Sequence, residues 1–594
     1  MKKLIVSVFL IIFTICFVGT QAFAYITSYN RVLDSSIIFY LGNIRIYNPF
    51  IFPVWYFRYK DNSPYSISYS LKVIRYSLIP VFMMIIGIMT KKGDTKNVHG
   101  SARWATTFEI LRKKIAFRKY KDGVILGKIK IFGIFPYIIV ENLLTHLILI
   151  AKSRSGKGTG IIVPTMLNWL GSIFVLDIKG ENFERSSAFR QKYLKQKILR
   201  ISPYSIENST HYNPLPEIRI GSSYEVRDAE IIAEILSAPT NASKMDANSE
   251  HFITAGKSLF TGLFIYVLYK DRNASLADVY DVLTDPDAPF RDRAEEIMNE
   301  SFTGYEEIIE NIYKNSFDLS KYDEGVHPVV AAAMADFLNK PEKEAGSVVS
   351  TALTKLNLFK DPIIRKNMGT SDFKMTDIMD YETPVSVYMC AKEEELTTLS
   401  PIIRIFITQL LGISTRQLKH KHRLLMLLDE FPAFGAVPLL EKGLGYLAQY
   451  KIKLLIIAQT INQIKEVYGE KSNIIAGCAT GIYYAPSQTD EATQKYISNI
   501  LGSKTSRTQN INYKQFADLT GGNVTVNKTG QKLLTPDETA NIGEDKAIIV
   551  TTGLYPILAK KIEFFNEKYF KDKYYDKERG VNTQLGEATV DKIN

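Results

Sequence analysis

Hydrophobic and polar positions alternate between long apolar runs near the start of the chain and short ones further along. Lys2 and Lys3 precede an almost unbroken apolar stretch over residues 4–24, roughly the 20 residues a helix needs to cross a hydrocarbon layer. Export signals share that pattern, and Ala22-Phe23-Ala24 would serve as a cleavage site, so a membrane span and a cleaved signal peptide both fit. A second apolar stretch covers 71–89. Lys72 and Arg75 near one end have stems long enough to snorkel, and Lys91-Lys92 follow the other end; Pro80 inside it also allows a buried soluble helix. The pattern predicts a membrane anchor over 1–92, with two transmembrane helices and an aromatic-rich loop facing outside between them.

Beyond the anchor the runs shorten to strand length. Residues 147–150, 173–176, 424–428 and 454–458 are uniformly apolar and bounded by polar residues, as expected of parallel strands covered on both faces. Between the second and third of these, apolar positions at helical spacing recur over 276–283, 306–313, 329–338 and 345–358, with Pro286, Pro289 and Pro341 between them. An all-α domain over 273–359, inserted into an α/β domain made of 93–272 and 360–570, accounts for the pattern. From about Lys571 the chain turns polar and predicts a flexible C-terminal tail, 571–594.

At 594 residues and 46% hydrophobic, the chain can bury several cores, which excludes a wholly disordered protein. A net charge of +11 suits an anionic membrane face or nucleic acid but is ordinary for this length. Cys16, Cys390 and Cys478 stand far apart, in no metal-ligand spacing.

The chemistry gathers at strand ends. The run 147–150 leads directly into Ala151-Lys152-Ser153-Arg154-Ser155-Gly156-Lys157-Gly158-Thr159-Gly160, a phosphate-binding loop in place if not in every letter. Small residues let consecutive backbone N–H groups close around phosphate oxygens, and the following helix adds its positive end. Ser153, Arg154, Ser155, Gly156, Lys157, Gly158, Thr159 and Gly160 are the candidate nucleotide-binding residues, with Lys157 reaching the terminal phosphates. Ala151 replaces the usual first glycine, and Gly158 stands where a magnesium-binding hydroxyl is expected, leaving Thr159 to supply it. The run 424–428 ends at Asp429-Glu430: the first carboxylate is a candidate magnesium ligand and the second a candidate to polarise the attacking water. Gln459, after 454–458, is placed to sense the γ-phosphate; Asp177, after 173–176, is an additional candidate. ATP and Mg2+ are the ligands this set implies. An ATP site belongs in the cytoplasm, which requires the second apolar stretch to cross the membrane.

In this order, behind two apolar spans, these motifs resemble the VirD4/TraG family of type IV secretion coupling proteins. His99-Gly100-Ser101-Ala102-Arg103-Trp104-Ala105, Gly156-Lys157-Gly158, Asp177-Ile178-Lys179-Gly180-Glu181, Tyr212-Asn213-Pro214-Leu215, Leu428-Asp429-Glu430-Phe431-Pro432 and Leu533-Leu534-Thr535-Pro536-Asp537-Glu538 look like its signatures. The resemblance implies a RecA-like P-loop NTPase core with a helical cap that meets substrates. It also implies a homo-hexamer in the bacterial inner membrane, multi-pass, with a cytoplasmic ATPase domain, and partners among the inner-membrane channel components, protein effectors and relaxase–DNA conjugates. Where relatives place an arginine before the Gln459 strand, this chain has Lys451 and Lys453. Two other readings remain: a nucleotide-binding receptor or scaffold with little ATPase activity, and a membrane-bound DNA translocase.

Overall fold

Twenty-five residues without a proline form the first helix, α1 (Lys2–Ile26), which contains the expected 4–24 span. The computed structural model describes residues 2–41, 44–90, 100–131, 133–238, 247–512 and 523–593, and the chain divides into two units, Met1–Val98 and His99–Asn594. The expected domain boundary at 92/93, Lys91-Lys92 and His99 lie outside the described residues. In the first unit α1 is followed by a β-hairpin, β1 (Ile37–Leu41) and β2 (Ile44–Tyr47). Then come a short helix, α2 (Phe52–Tyr59), and α3 (Pro64–Thr90), which runs on through Pro80. The stretch between the two apolar runs is therefore folded. Phe23 and Ala24 of α1, Tyr47, Trp55, and Ile67 and Ile74 of α3 share one small core. Tyr76, Phe82 and Met83 of α3 are exposed, an apolar outer face of the kind lipid covers. Of the second expected span, side chains 85–89 lie outside the described residues.

The second unit is built on one large mixed sheet. Its strands are β3 (Ala116–Phe117), β4 (Val124–Ile131), β5 (Phe135–Glu141), β6 (Leu147–Ile150), β7 (Ser172–Asp177), β8 (Lys197–Ile201), β9 (Val385–Cys390), β10 (Leu424–Leu428), β11 (Ile452–Ala458) and β12 (Thr480–Tyr483). A polar hairpin, β13 (Ser503–Asn512) and β14 (Asn523–Lys532), stands apart from it; β15 (Lys546–Thr551) and β16 (Ile557–Lys560) return to the sheet. The spatial order is β3-β5-β4-β16-β15-β12-β6-β11-β10-β7-β9-β8. The strands from β12 to β8 run parallel, and those on the other side pair antiparallel.

The uniform apolar runs have a direct cause. Successive residues of a strand face opposite sides, and here both sides are core: Ile148, Phe174, Met426 and Ile456 belong to one buried cluster, while Leu149, Val175, Leu427 and Ile457 belong to the other. Register then lines up the strand ends, with Ile150 opposite Ala458, Leu428 opposite Ile456 and Leu428 opposite Leu176. The residues just beyond β6, β10, β11 and β7 thus share one rim, where α/β sheets bind ligands.

Between β8 and β9 the described residues form helices and no sheet strand, from Glu225–Ser237 to Asp377–Asp380. The expected helices are there as Leu276–Leu283, Glu306–Tyr313, Pro328–Leu338 and Glu342–Leu356. Leu276–Leu283, Pro328–Leu338 and Glu342–Leu356 pack against the long helix Ala247–Lys270. A Cβ on its Gly262 would stand 2.6 Å from that of Ala333, so glycine sets how near the two helices come. Under the same helices Glu225, fully buried, accepts hydrogen bonds from the Tyr313 hydroxyl at 2.7 Å, the Tyr269 hydroxyl at 3.0 Å and the Gly221 N–H at 2.7 Å. The His327 Nε2 lies 3.2 Å from it.

Three helices among the described residues are long and apolar enough to cross a membrane: Phe9–Ile26, His251–Lys270 and Leu396–Ser414. Burial separates them. The last two are 72% and 78% buried within the second unit, against 33% for the first, so they are core helices. The expectation of a flexible tail over 571–594 gives way to an ordered segment. Tyr574, Tyr575 and Leu585 are buried, and the Asp591 backbone N–H donates to the Ile198 carbonyl while its carboxylate accepts the Ile198 N–H, each at 2.8 Å. β8 is the last strand on its side of the sheet and leaves a row of backbone groups to be paired, which Asp591 satisfies at Ile198 and Thr210 at Arg200.

Candidate nucleotide site

The loop leaving β6 turns through two left-handed residues, Arg154 (φ 58°) and Gly156 (φ 84°), with Ser153 and Arg154 exposed at its apex. Helical conformation begins at Lys157. The Gly156 carbonyl accepts the Gly160 N–H at 2.8 Å and the Thr159 hydroxyl at 3.1 Å. Gly158 has open space around its missing Cβ, whereas a Cβ at Gly160 would lie 2.7 Å from the Tyr484 hydroxyl.

Lys157 joins the strand ends. Its ammonium lies 2.9 Å from Asp429 Oδ1 and also contacts Glu430 Oε1, while Gln459 Nε2 donates to Glu430 Oε2 at 3.0 Å. Three expected catalytic residues, Lys157, Glu430 and Gln459, and one of the two expected metal ligands, Asp429, thus meet where the loop after β6 faces the ends of β10 and β11, while the other, Thr159, bonds within its own loop. Burial opposes the charge on Lys157, but Asp429 and Glu430 outweigh it and raise its pKa above the usual lysine value. Burial likewise raises Asp429, against the pull of Lys157. Glu430 takes a left-handed backbone (φ 52°, ψ 43°), sparsely populated by residues with a side chain and a recurrent feature of functional sites.

Asp177 sits on the same rim but turns inward. Fully buried, it accepts the Phe183 N–H at 2.7 Å, and burial raises its pKa from 3.8 to about 6. It holds the start of helix Glu181–Lys192. Lys451 and Lys453 are both committed within the chain. Lys451 donates to the His420 carbonyl, and Lys453, completely buried, donates to the Leu143 carbonyl at 2.6 Å; burial lowers its pKa to about 7.

One residue of the site escaped the sequence reading. Lys561, just past β16, donates from Nζ to the Ser155 carbonyl at 2.9 Å and lies 3.7 Å from the centre of the Tyr484 ring. No motif surrounds it, and the doublet Lys560-Lys561 was the only hint in the sequence.

The remaining signature motifs build scaffold. Ala102 donates its N–H to the Ser503 carbonyl at 3.1 Å, and Gly100 passes so close that a Cβ would meet that oxygen. The Arg103 guanidinium lies 3.8 Å from the Tyr555 ring centre. Asn213 donates to the Ala274 carbonyl at 3.0 Å, and Thr535 and Glu538 form a capping box.

A Gly-rich loop after one central parallel strand, facing paired carboxylates at the end of another, defines a P-loop protein with a RecA-like core. The family model described as "Type IV secretory system Conjugative DNA transfer" matches residues 96–588. The conjugal transfer protein TraG of Escherichia coli is 30% identical, over 89% of this chain and 85% of its own. Protein VirD4 of Rhizobium radiobacter is 25% identical, over 89% and 73%. Among solved structures, the plasmid coupling protein TrwB in complex with the ATP analogue ADPNP has a TM-score of 0.57 at 14% identity, covering 80% of this chain and 96% of that one. TrwB with ADP and Mg2+ scores 0.53 at 12%, covering 79% and 96%. The chain belongs to the VirD4/TraG family of type IV secretion coupling proteins.

Proposed function

We propose that this site binds and hydrolyses MgATP, and that the chain is the membrane-anchored motor that hands substrates to a type IV secretion channel. The observation that carries it is Lys157 bridging Asp429 and Glu430, with Gln459 bonded to the second carboxylate. This ties the phosphate loop to the groups that would handle water. Lys157 and the loop N–H groups of 153–160 hold the phosphates. Glu430 accepts the proton of the attacking water, and Gln459, already bonded to it, moves with it when the γ-phosphate leaves. The donor set suits magnesium: the Thr159 hydroxyl and the Asp429 carboxylate are hard oxygen ligands, and among the described residues no cluster of three or more acidic, histidine or cysteine side chains forms a full protein cage. That matches an ion bound by one or two protein oxygens plus phosphate and water. When bound, Mg2+ supplies charge neutralisation on the phosphates. The TrwB complexes with ADPNP and with ADP and Mg2+ support the same ligands.

On this reading residues 1–92 anchor the chain in the inner membrane through two spans, the nucleotide domain (93–272 and 360–570) lies in the cytoplasm as a homo-hexamer, and the helical insert (273–359) receives cargo. Protein effectors, relaxase–DNA conjugates and channel components are the partners. Charge stabilisation of the transferred phosphoryl group dominates such chemistry. Lys157→Ala should therefore lower steady-state phosphate release by the full chain in lipid nanodiscs at least about a hundredfold. Near-normal turnover would move catalysis elsewhere.

A further inference from the structure

Lys561 is a buried ammonium aimed at the phosphate loop. Its side chain lies on the Tyr484 ring, its backbone N–H is held by the Asp545 carbonyl at 2.7 Å, and its Nζ reaches the Ser155 carbonyl. The carboxylate of Asp545 is committed elsewhere, pairing with Lys560 at 3.7 Å. A buried cation needs compensation, and here a carbonyl and an aromatic face supply only part of it.

Ser155 occupies a special position, between left-handed Arg154 and left-handed Gly156. A trans peptide sets its C=O and the next N–H in opposite directions. An ammonium that holds the Ser155 carbonyl on the β16 side therefore turns the Gly156 N–H to the other side, into the loop. We propose that Lys561 is a positioning residue for the nucleotide: it fixes the Ser155–Gly156 peptide so that the Gly156 N–H meets a phosphate oxygen, and it adds a second positive charge behind that oxygen. The inference rests on the nucleotide reading above and adds to it a cation from the far end of the domain. Groups facing Lys561 are Lys152, Tyr484, Glu544 and Asp545. Burial first, with Lys152 adding to it and the two acids opposing, lowers its pKa to about 8.

Because the contact acts on bound nucleotide before and during reaction alike, its loss should appear in KM rather than kcat. For the full chain in nanodiscs, Lys561→Met should raise KM for ATP about tenfold, the scale of one charged hydrogen bond, with kcat within about twofold. Lys561→Arg, which retains its charge, should restore KM. Between pH 7 and 9 the wild-type KM should climb as Lys561 deprotonates, while that of Lys561→Arg stays flat. A wild-type KM in Lys561→Met, a fall in kcat at constant KM, or a Lys561→Arg profile that climbs with pH would each overturn the proposal. Lys157→Ala measured alongside separates the two failures: if it is inactive while Lys561→Met behaves as wild type, only the role of Lys561 falls. If Lys157→Ala turns over normally, the nucleotide reading falls with it.

Discussion

Replacing Asp177 by asparagine tests whether a rim carboxylate is kept for chemistry at a cost in stability. Asn can still accept the Phe183 N–H that Asp177 holds at 2.7 Å, so the change mainly removes a charge. Burial, with Asp429 nearby adding to it against the helix-start N–H groups, raises the Asp177 pKa from 3.8 to about 6. The folded state therefore binds the proton more tightly than the unfolded chain does, and the charge begins to destabilise the fold as pH rises past 3.8. The penalty is complete above about pH 6. A shift of roughly 2 units at 1.36 kcal/mol each amounts to about 3 kcal/mol at pH 7.5 and about half that at pH 5. For a unit of about 500 residues, the unfolding entropy converts this to a melting point about 3 °C higher in Asp177→Asn at pH 7.5, and a gain about half as large at pH 5. Differential scanning fluorimetry at both pH values measures the gain. No gain, or one that does not shrink in acid, would refute the reasoning. Phosphate release by the same variant completes the test: unchanged turnover makes Asp177 a helix anchor, and a large loss makes its charge part of the magnesium site.

Glu430→Gln keeps shape and hydrogen bonding while removing the base. It should bind nucleotide with wild-type affinity, as measured with a fluorescent analogue, yet release phosphate at least about a hundredfold more slowly; weakened binding with unchanged turnover would refute the role. Glu225→Ala strands the Tyr269 and Tyr313 hydroxyls and His327 beneath the helices, and should destabilise that region by about 3 kcal/mol or more, read as faster hydrogen exchange across Pro328–Leu338. Burial alone would raise the Glu225 pKa, but the bonds from His327 and Tyr313 outweigh it and lower the value below 4.5. Its stabilisation is thus complete above pH 4.5 and lost as pH falls through the lowered value, so the exchange difference between wild type and variant should narrow in acid.

The parallel strands were legible because burial on both faces leaves an unbroken apolar run, and the acids and amide that follow three of them inherit their place from register. The loop at 151–160 was legible through its small residues despite Ala151 and Gly158. Lys561 was not, because its partner is a backbone carbonyl some 400 residues earlier and such contacts leave no pattern in side-chain identity. The last segment misled for a related reason: Tyr574, Tyr575 and Leu585 are buried, and Asp591 bonds the backbone edge of β8 at Ile198. Lys453 was misleading in another way: it lies within β11, fully buried, and its ammonium donates inward to the Leu143 carbonyl.

The two core helices that match a membrane span in length and hydropathy carry a consequence for biosynthesis. To an insertion machinery that reads segments as they emerge, His251–Lys270 and Leu396–Ser414 look like further spans, and accepting either would turn the rest of the chain inside out. Arg404 and Gln409 in one and Lys257 in the other lower their attraction to lipid. Burial within the second unit removes what remains. Apolar substitution of these polar residues would therefore show first as misrouted protein, and only later, if at all, as a weaker fold.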